Sequence, residues 1–168
     1  MPERDGIALR HGPLMKRLVF TFAAVMNLLL VDQAVKAAAI AHLKGAPPVT
    51  VLDGLFNLAY VENRGCAWGM FQGQVWPLAA FAVLALAFLL WKRKAIFGDG
   101  RVAAVAEVLL YAGIVGNLID RVFRGFVIDF FDFHWKAAYH FPCFNLADTF
   151  ITVAAGLLIL CSFVKRTS

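Results

Sequence analysis

Acidic side chains that could do chemistry concentrate in one stretch of the chain, from Gly116 to Asp148. This stretch holds four of the eleven acids, Asp120, Asp129, Asp132 and Asp148, although the sequence on either side of it is apolar enough to lie in lipid. A carboxylate next to a membrane is energetically expensive to keep there. Several of them between two hydrophobic segments therefore indicate a functional site.

Two of these carboxylates suit acid–base chemistry best. Asp129 follows the apolar residues 126–128, and Asp148 opens the last apolar run, with Asn145 one turn before it. When two carboxyl groups face one another they share a proton, because two like charges a few ångströms apart are unfavourable. One then acts as a base toward water and the other as an acid toward a carbonyl. The alternative for Asp148 is a helix N-cap, a position where Asp is preferred.

Metal ions and other nucleophiles are weaker candidates. The four histidines, at positions 11, 42, 134 and 140, form no His-Glu-x-x-His motif. Asp132 and His134 could ligate an ion, but beside Trp135 they are more typical of a membrane interface. The three cysteines form no metal or redox motif. We therefore expect no metal and no cofactor. Cys66 and Cys143 lie in segments expected to face an oxidising compartment, which leads to the hypothesis that they approach each other.

The composition indicates an integral membrane protein of one domain, residues 1–168. The apolar fraction is 61%, the charged fraction is 16% and the mean hydropathy is +0.73. Soluble domains are about half apolar and about a quarter charged. The net charge of +5 comes from cations in short clusters beside apolar runs, and no nucleic-acid-binding signature accompanies them.

Four apolar runs predict four transmembrane helices. Within the first, Asp32 and Lys36 are four residues apart, so they share a helix face and can pair. Glu107, near one end of the third, is interpreted as snorkelling or hydrogen-bonded at the interface. The expected helices span residues 18–41, 76–92, 102–119 and 148–164 approximately, with segments 42–75 and 120–147 outside them.

The distribution of cations predicts the orientation. Ten of the sixteen Lys and Arg residues lie in the N-terminal tail, the 92–101 turn and the C-terminal tail, which share one side if four helices span. The positive-inside rule makes that side, with both termini, cytoplasmic. The β-type composition of residues 49–61 predicts short strands, and Gly65 is expected in a turn with positive φ. The expected fold is an all-α polytopic membrane protein with a small extracytoplasmic β-sheet region.

Five short motifs resemble those of the lipoprotein signal peptidase family, which is also called signal peptidase II. They occur in the same order as in that family, and the resemblance covers residues from about 18 to 165. Cys66 and Trp68 stand where the family usually has Ala and Phe. The motifs are Asp32-Gln33-x-x-Lys36, Asn63-x-Gly65-x-Ala67, Gly116-Asn117-Leu118-Ile119-Asp120-Arg121, Val127-Ile128-Asp129-Phe130 and Phe144-Asn145-Leu146-Ala147-Asp148.

The resemblance implies an aspartyl endopeptidase of the bacterial inner membrane with no cofactor. Such an enzyme removes the signal peptide from prolipoproteins by cutting before a diacylglyceryl-modified cysteine. Its partners would be these precursors and membrane lipid but no nucleic acid, and a monomer is expected. The catalytic pair maps onto Asp129 and Asp148. The supporting residues map onto Asp32, Lys36, Asn63, Gly65, Asn117, Asp120, Arg121 and Asn145.

Two other function classes remain open at this point. In a proton-coupled transporter the same aspartates would relay protons. This class is disfavoured because the acids gather near one predicted surface. A non-enzymatic assembly subunit predicts instead that substituting either aspartate leaves function intact.

Overall fold

The computed structural model describes residues 12–135 and 139–166. The remaining residues, including His11, lie outside that part. The helices are α1 (Gly12–Leu43), α2 (Val75–Trp91), the short α3 (Arg93–Phe97), α4 (Arg101–Arg124) and α5 (Leu146–Arg166). The strands are β1 (Val49–Leu52), β2 (Phe56–Asn63), β3 (Val127–Trp135) and β4 (Tyr139–His140).

Three helices, α1, α4 and α5, are long and apolar enough to cross a membrane. The fourth apolar helix, α2, has 17 residues and no charge, and its length of about 26 Å falls just below the hydrocarbon thickness of about 30 Å. Large apolar side chains point away from the protein, such as Phe20, Leu84 and Phe123, which are 71%, 68% and 81% exposed. This surface suits lipid rather than water.

Helix α4 is the centre of the helical bundle, because it packs against α1, α2 and α5. Two glycines of α4 allow α1 and α5 to pack closely against its backbone. A Cβ atom added to Gly113 would lie 2.5 Å from the carbonyl oxygen of Ala147, and one added to Gly116 would lie 2.8 Å from Oδ2 of Asp32. The start of α5 and the acidic part of α1 therefore press directly against the α4 backbone.

The four strands form one antiparallel sheet in the order β1-β2-β3-β4. Gly125 caps α4 with a left-handed φ of 76°, and the chain enters β3 two residues later. The residues of β3 nearest α4 are buried, and Ile128 and Phe130 form a core cluster with Ala39 of α1. We call this end of the bundle, where α4 ends and α5 begins, the sheet end.

A charged cluster lies near the end of α4 that is opposite the sheet end. Glu107 is fully buried and accepts hydrogen bonds from Arg93 and from Arg17, which also pairs with Asp99 at 2.7 Å. Of the two expectations for Glu107, snorkelling is wrong, and the hydrogen-bonded state is what the structure shows. A buried carboxylate needs such partners because its desolvation is otherwise uncompensated.

Several boundaries differ from the sequence-based expectation. Helix α4 continues through Arg124, so Asp120 and Arg121 belong to a helix and not to a connecting segment. Strand β3 was not expected, because its buried part lacks polar–apolar alternation. Gly65 has no positive φ; it is needed instead because a Cβ there would lie 2.5 Å from the carbonyl oxygen of Met70.

Replacing Gly116 by Ala should lower the apparent melting temperature in detergent. The new methyl group would collide with a buried carboxylate that has fixed partners, an overpacking effect of about 1–3 kcal/mol. Gly156→Ala in α5 is the matched control, because nothing lies within 4 Å of its added Cβ. That variant should be neutral or stabilising by about 0.5–1 kcal/mol. Equal melting temperatures for both variants would contradict the close packing.

Candidate active site

Asp129 and Asp148 are brought to one site by β3 and the first turn of α5. Asn145 contacts both of them: its side-chain amide donates to Oδ1 of Asp129 at 2.7 Å, and its backbone N–H donates to Oδ2 of Asp148 at 3.1 Å. The Asp148 N–H returns a bond to Oδ1 of Asn145 at 3.0 Å. This reciprocal pair is a capping box, with Asn145 as the N-cap. Asp148 is therefore not the N-cap, the alternative raised from the sequence.

Three asparagines hold the two carboxylates. Asn63 donates to Oδ2 of Asp129 at 2.9 Å, and Asn117 donates to Oδ1 of Asp148 at 2.8 Å. Asn145 also donates to Oδ1 of Asn117 at 3.1 Å, so the amides form a connected chain. Both aspartates thus have fixed orientations before any substrate binds.

The environment of Asp129 favours its protonated form, so that a large fraction of it carries a proton at neutral pH. Burial first, and then the nearby Asp148 carboxylate, raise the pKa of Asp129 to about 7, against the opposing hydrogen bonds from Asn63 and Asn145. A carboxyl group that is protonated at neutral pH can act as a general acid.

Beneath this pair lies a fully buried ammonium group, that of Lys36. It lies 3.0 Å from Oδ2 of Asp32, 3.0 Å from Oδ2 of Asp120 and 3.2 Å from Oδ1 of Asn117. An ammonium group has three donors, and each has an acceptor here. The predicted Asp32–Lys36 pair is confirmed, and the structure adds the two partners from α4.

Two residues of this network were missed as site residues. Arg124 donates to Asp120 and to Oε1 of Gln33, and Gln33 donates in turn to Asp120 at 3.2 Å. Gln33 belongs to the Asp32-Gln33-x-x-Lys36 motif, which by itself indicates no role for the amide. The spacing of Arg124 four residues after Asp120 was a signal for this pair, but only if α4 continues that far.

Arg121 connects α4 to the loop that follows β2. Its guanidinium donates to the carbonyl oxygens of Asn117 at 3.4 Å and Gly65 at 3.2 Å. Among the described residues it has no carboxylate within ion-pair distance, so a direct contact with a neighbouring acid is not part of its role. The loop is tightened further by Asn63, whose Oδ1 accepts the Gly65 N–H at 2.9 Å.

Two adjoining cavities meet beside Asp148. One, of about 460 Å³, contains both Asp129 and Asp148 and is walled by residues 141–144. The other, of about 980 Å³, lies between α2, α4 and α5 and is mostly apolar, with Phe81, Leu78 and Ile114 in its wall. Asp148 and Arg121 line both cavities, so an extended molecule could occupy both at once.

Cys66 and Cys143 line the same cavity, and each is a free thiol. Burial, followed by the charges of Asp132 and Asp129, raises the pKa of Cys143 to about 11. Since the thiolate is the reactive form, Cys143 is a poor nucleophile at neutral pH. The two thiols form no disulfide in this structure, and the hypothesis that they approach each other stays a prediction.

Comparison with known proteins agrees with the geometry. The family described as Signal peptidase (SPase) II matches residues 24–164. A lipoprotein signal peptidase of Clostridium acetobutylicum is 36% identical over 81% of this chain and 87% of its own length. A lipoprotein signal peptidase of Geobacter sulfurreducens is 39% identical over 81% of this chain and 86% of its own length.

The chain belongs to the signal peptidase II family. It is therefore a peptidase and an integral membrane protein, and the resemblance drawn from its motifs is confirmed. Two solved structures, each described as a bacterial membrane enzyme obtained by the in meso method, share its fold. The first has a TM-score of 0.73 and 30% sequence identity, and the match covers 89% of this chain and 90% of the other. The second has a TM-score of 0.70 and 27% sequence identity, and the match covers 84% of this chain and 91% of the other.

Replacing Lys36 by Met should destabilise this family member strongly. The change leaves Asp32 buried without a compensating cation and leaves Asp120 with Arg124 as its remaining cation, a loss of about 3–5 kcal/mol when one partner of a buried pair is removed. The measurement is thermal unfolding of the purified protein in detergent. Lys44→Met is the matched control, because the Lys44–Glu62 pair at 3.3 Å is largely exposed and should matter little. A native-like melting temperature for Lys36→Met would show that the buried cluster is not needed for stability.

Proposed function

We propose that this signal peptidase II is an aspartyl endopeptidase that cuts the signal peptide from bacterial prolipoproteins, before a diacylglyceryl-modified cysteine. The observation that carries the proposal is the pair of carboxylates, Asp129 and Asp148, held at one cavity by Asn145. The relatives in Clostridium acetobutylicum and Geobacter sulfurreducens, which are called lipoprotein signal peptidases, supply the substrate class.

In the proposed reaction the two aspartates have different protonation states. The Asp148 carboxylate, at the positive end of the α5 dipole, takes a proton from water as the water oxygen attacks the scissile carbonyl carbon. Asp129 gives its proton to the carbonyl oxygen. The tetrahedral diol then collapses: the C–N bond breaks, the amine leaves with a proton from Asp148, and Asp129 regains a proton from the diol.

The two cavities suit the two parts of the proposed substrate. The cavity that contains both aspartates has room for the extended peptide around the cleavage site. The apolar cavity between α2 and α4 has the character needed for acyl chains or for apolar signal-peptide side chains. Binding of these remote parts would hold the scissile bond in a reactive geometry, which lowers the entropic part of the barrier.

We further propose that four helices cross the bacterial inner membrane with the sheet end outward. The positive-inside rule applied to the clustered cations supports this orientation. It places Asp129, Asp148 and the sheet at the extracytoplasmic surface, where water is available. Arg17, Arg93 and Glu107 would then lie toward the cytoplasmic side.

Asp129→Asn and Asp148→Asn should each abolish cleavage of a diacylglyceryl-modified precursor. Asparagine keeps the shape of the side chain and some of its hydrogen bonding, but it cannot exchange a proton with water or with the carbonyl. The double variant should be hardly worse than either single one, because residues that act as one unit are not additive. The measurement is conversion of the purified precursor to the shorter product.

Asp132→Asn is the control for this experiment, since Asp132 lies on the same strand and should retain substantial activity when replaced. All variants should insert in the membrane and still bind the precursor. Near-normal cleavage by either Asp129→Asn or Asp148→Asn would refute the aspartyl mechanism, and Asp120 would be the next acid to test.

The pH profile of cleavage should report the proton on Asp129. Because its pKa is raised to about 7, the group is protonated below that pH and ionised above it. Loss of the acid should lower kcat/KM as the pH rises through about 7, approaching a tenfold fall per pH unit. The Asp132→Asn variant should keep the same profile. A rate that stays constant from about pH 6 to pH 9 would mean that Asp129 does not act as the acid.

A further inference from the structure

Three polar side chains at the outer part of the sheet come together without belonging to the site described above. They are Asp132 and His134 on β3 and His140 on β4. The register of the two strands pairs His134 directly with His140. One potential ligand atom from each of the three residues lies within 4.8 Å of the other two. Sequence spacing had given no metal motif, because His140 is brought in only by strand pairing.

The contacts within this cluster leave nitrogen atoms available. Nδ1 of His140 lies 3.6 Å from Oδ1 of Asp132, and Nδ1 of His134 lies 3.9 Å from Oδ2 of the same carboxylate. These are ion-pair distances, too long for hydrogen bonds. The His134 side chain is only 10% exposed, and its buried Nδ1 has no hydrogen-bond partner among the described residues. A buried polar atom without a partner is destabilising, so we expect this nitrogen to bind a ligand.

We propose that Asp132, His134 and His140 bind one divalent transition-metal ion of the zinc class. Two imidazole nitrogens and one carboxylate are a common zinc ligand set, with a water molecule at the fourth position. With metal–ligand distances near 2.1 Å, neighbouring ligand atoms in a tetrahedral site lie about 3.4 Å apart. The 3.6 Å separation between His140 and Asp132 is already close to that value.

The surroundings complete such a site. Asn57 of β2 donates to Oδ2 of Asp132 at 3.3 Å, the kind of outer contact that orients a ligating carboxylate. The His140 side chain is 62% exposed, so an ion from solution can reach the cluster. The imidazole rings of His134 and His140 face each other with centroids 5.2 Å apart.

The ion would fasten β4 to β3. Strand β3 carries Asp129, and the residues that follow β4, from Phe141 to Phe144, wall the cavity at the aspartates. The ion is therefore a structural clamp beside the site and takes no part in cleavage. This inference does not depend on the proposed function.

The test is zinc binding to the tag-free, full-length protein in detergent after treatment with a chelator and its removal. Calorimetric titration should give one equivalent of bound Zn²⁺, and Co²⁺ should give the visible absorption bands of a tetrahedral site. His140→Ala, His134→Ala and Asp132→Asn should each weaken zinc binding by at least about tenfold. Zinc should raise the melting temperature of the native protein and not that of His140→Ala. Mg²⁺, which prefers oxygen ligands, should have no such effect.

Two control variants separate this site from others that could hold zinc. His42→Ala removes a histidine outside the cluster, and Cys143→Ser removes a thiol whose pKa responds to the Asp132 charge. Both should bind zinc as the native protein does. Because His140 is exposed, His140→Ala should match the native melting temperature without zinc, so lost binding cannot be attributed to misfolding. The absence of stoichiometric binding, or unchanged binding by His140→Ala, would overturn the proposal and leave the cluster as three neighbouring polar side chains that bind no ion.

Discussion

The buried ammonium group of Lys36 is the interaction on which the rest of the site depends. Each of its three acceptors also holds a residue beside or at the Asp129–Asp148 pair. Asp32 accepts the N–H of Ala147, the neighbour of Asp148; Asp120 accepts the N–H of Ile128, the neighbour of Asp129. Asn117 donates to Asp148 itself. One cation on α1 thus fixes the position of β3 and the start of α5 relative to α4.

This arrangement explains why so many charged groups can be buried at the end of an apolar bundle. Isolated charges there would be strongly disfavoured, but the two carboxylates around Lys36, those of Asp32 and Asp120, each have a cation and a backbone N–H donor. Asp32 and Asp120 share Lys36, and Asp120 also pairs with Arg124. Around Asp129 the hydrogen-bond donors are amides and not cations, so burial and the Asp148 charge prevail and raise the pKa of Asp129 to about 7.

Sequence reasoning found most of the side chains of the site but not how they are held. Apolar runs and the motifs sufficed to place Asp129, Asp148 and the three asparagines at one end of the helices. The continuation of α4 through Asp120 could not be predicted, because polar residues that follow an apolar run usually indicate the end of a transmembrane helix. Strand β3 was hidden because its first residues are all buried, Asp129 included, so no alternation marks it. The pairing of His134 with His140 depends on strand register, which spacing alone does not specify.

The position of the charged groups along α4 also distinguishes a peptidase from a proton-coupled transporter. Its two buried charged clusters, at Glu107 and at Asn117 to Asp120, are separated by about 15 Å of helix. Between them α4 offers only one polar side chain, that of Tyr111, whose buried hydroxyl has no hydrogen-bond partner within the described part of the chain. A proton relay needs a continuous series of polar groups. On this helix the series is interrupted, so α4 provides no side-chain relay from Asp129 and Asp148, which line the cavity, to its opposite end.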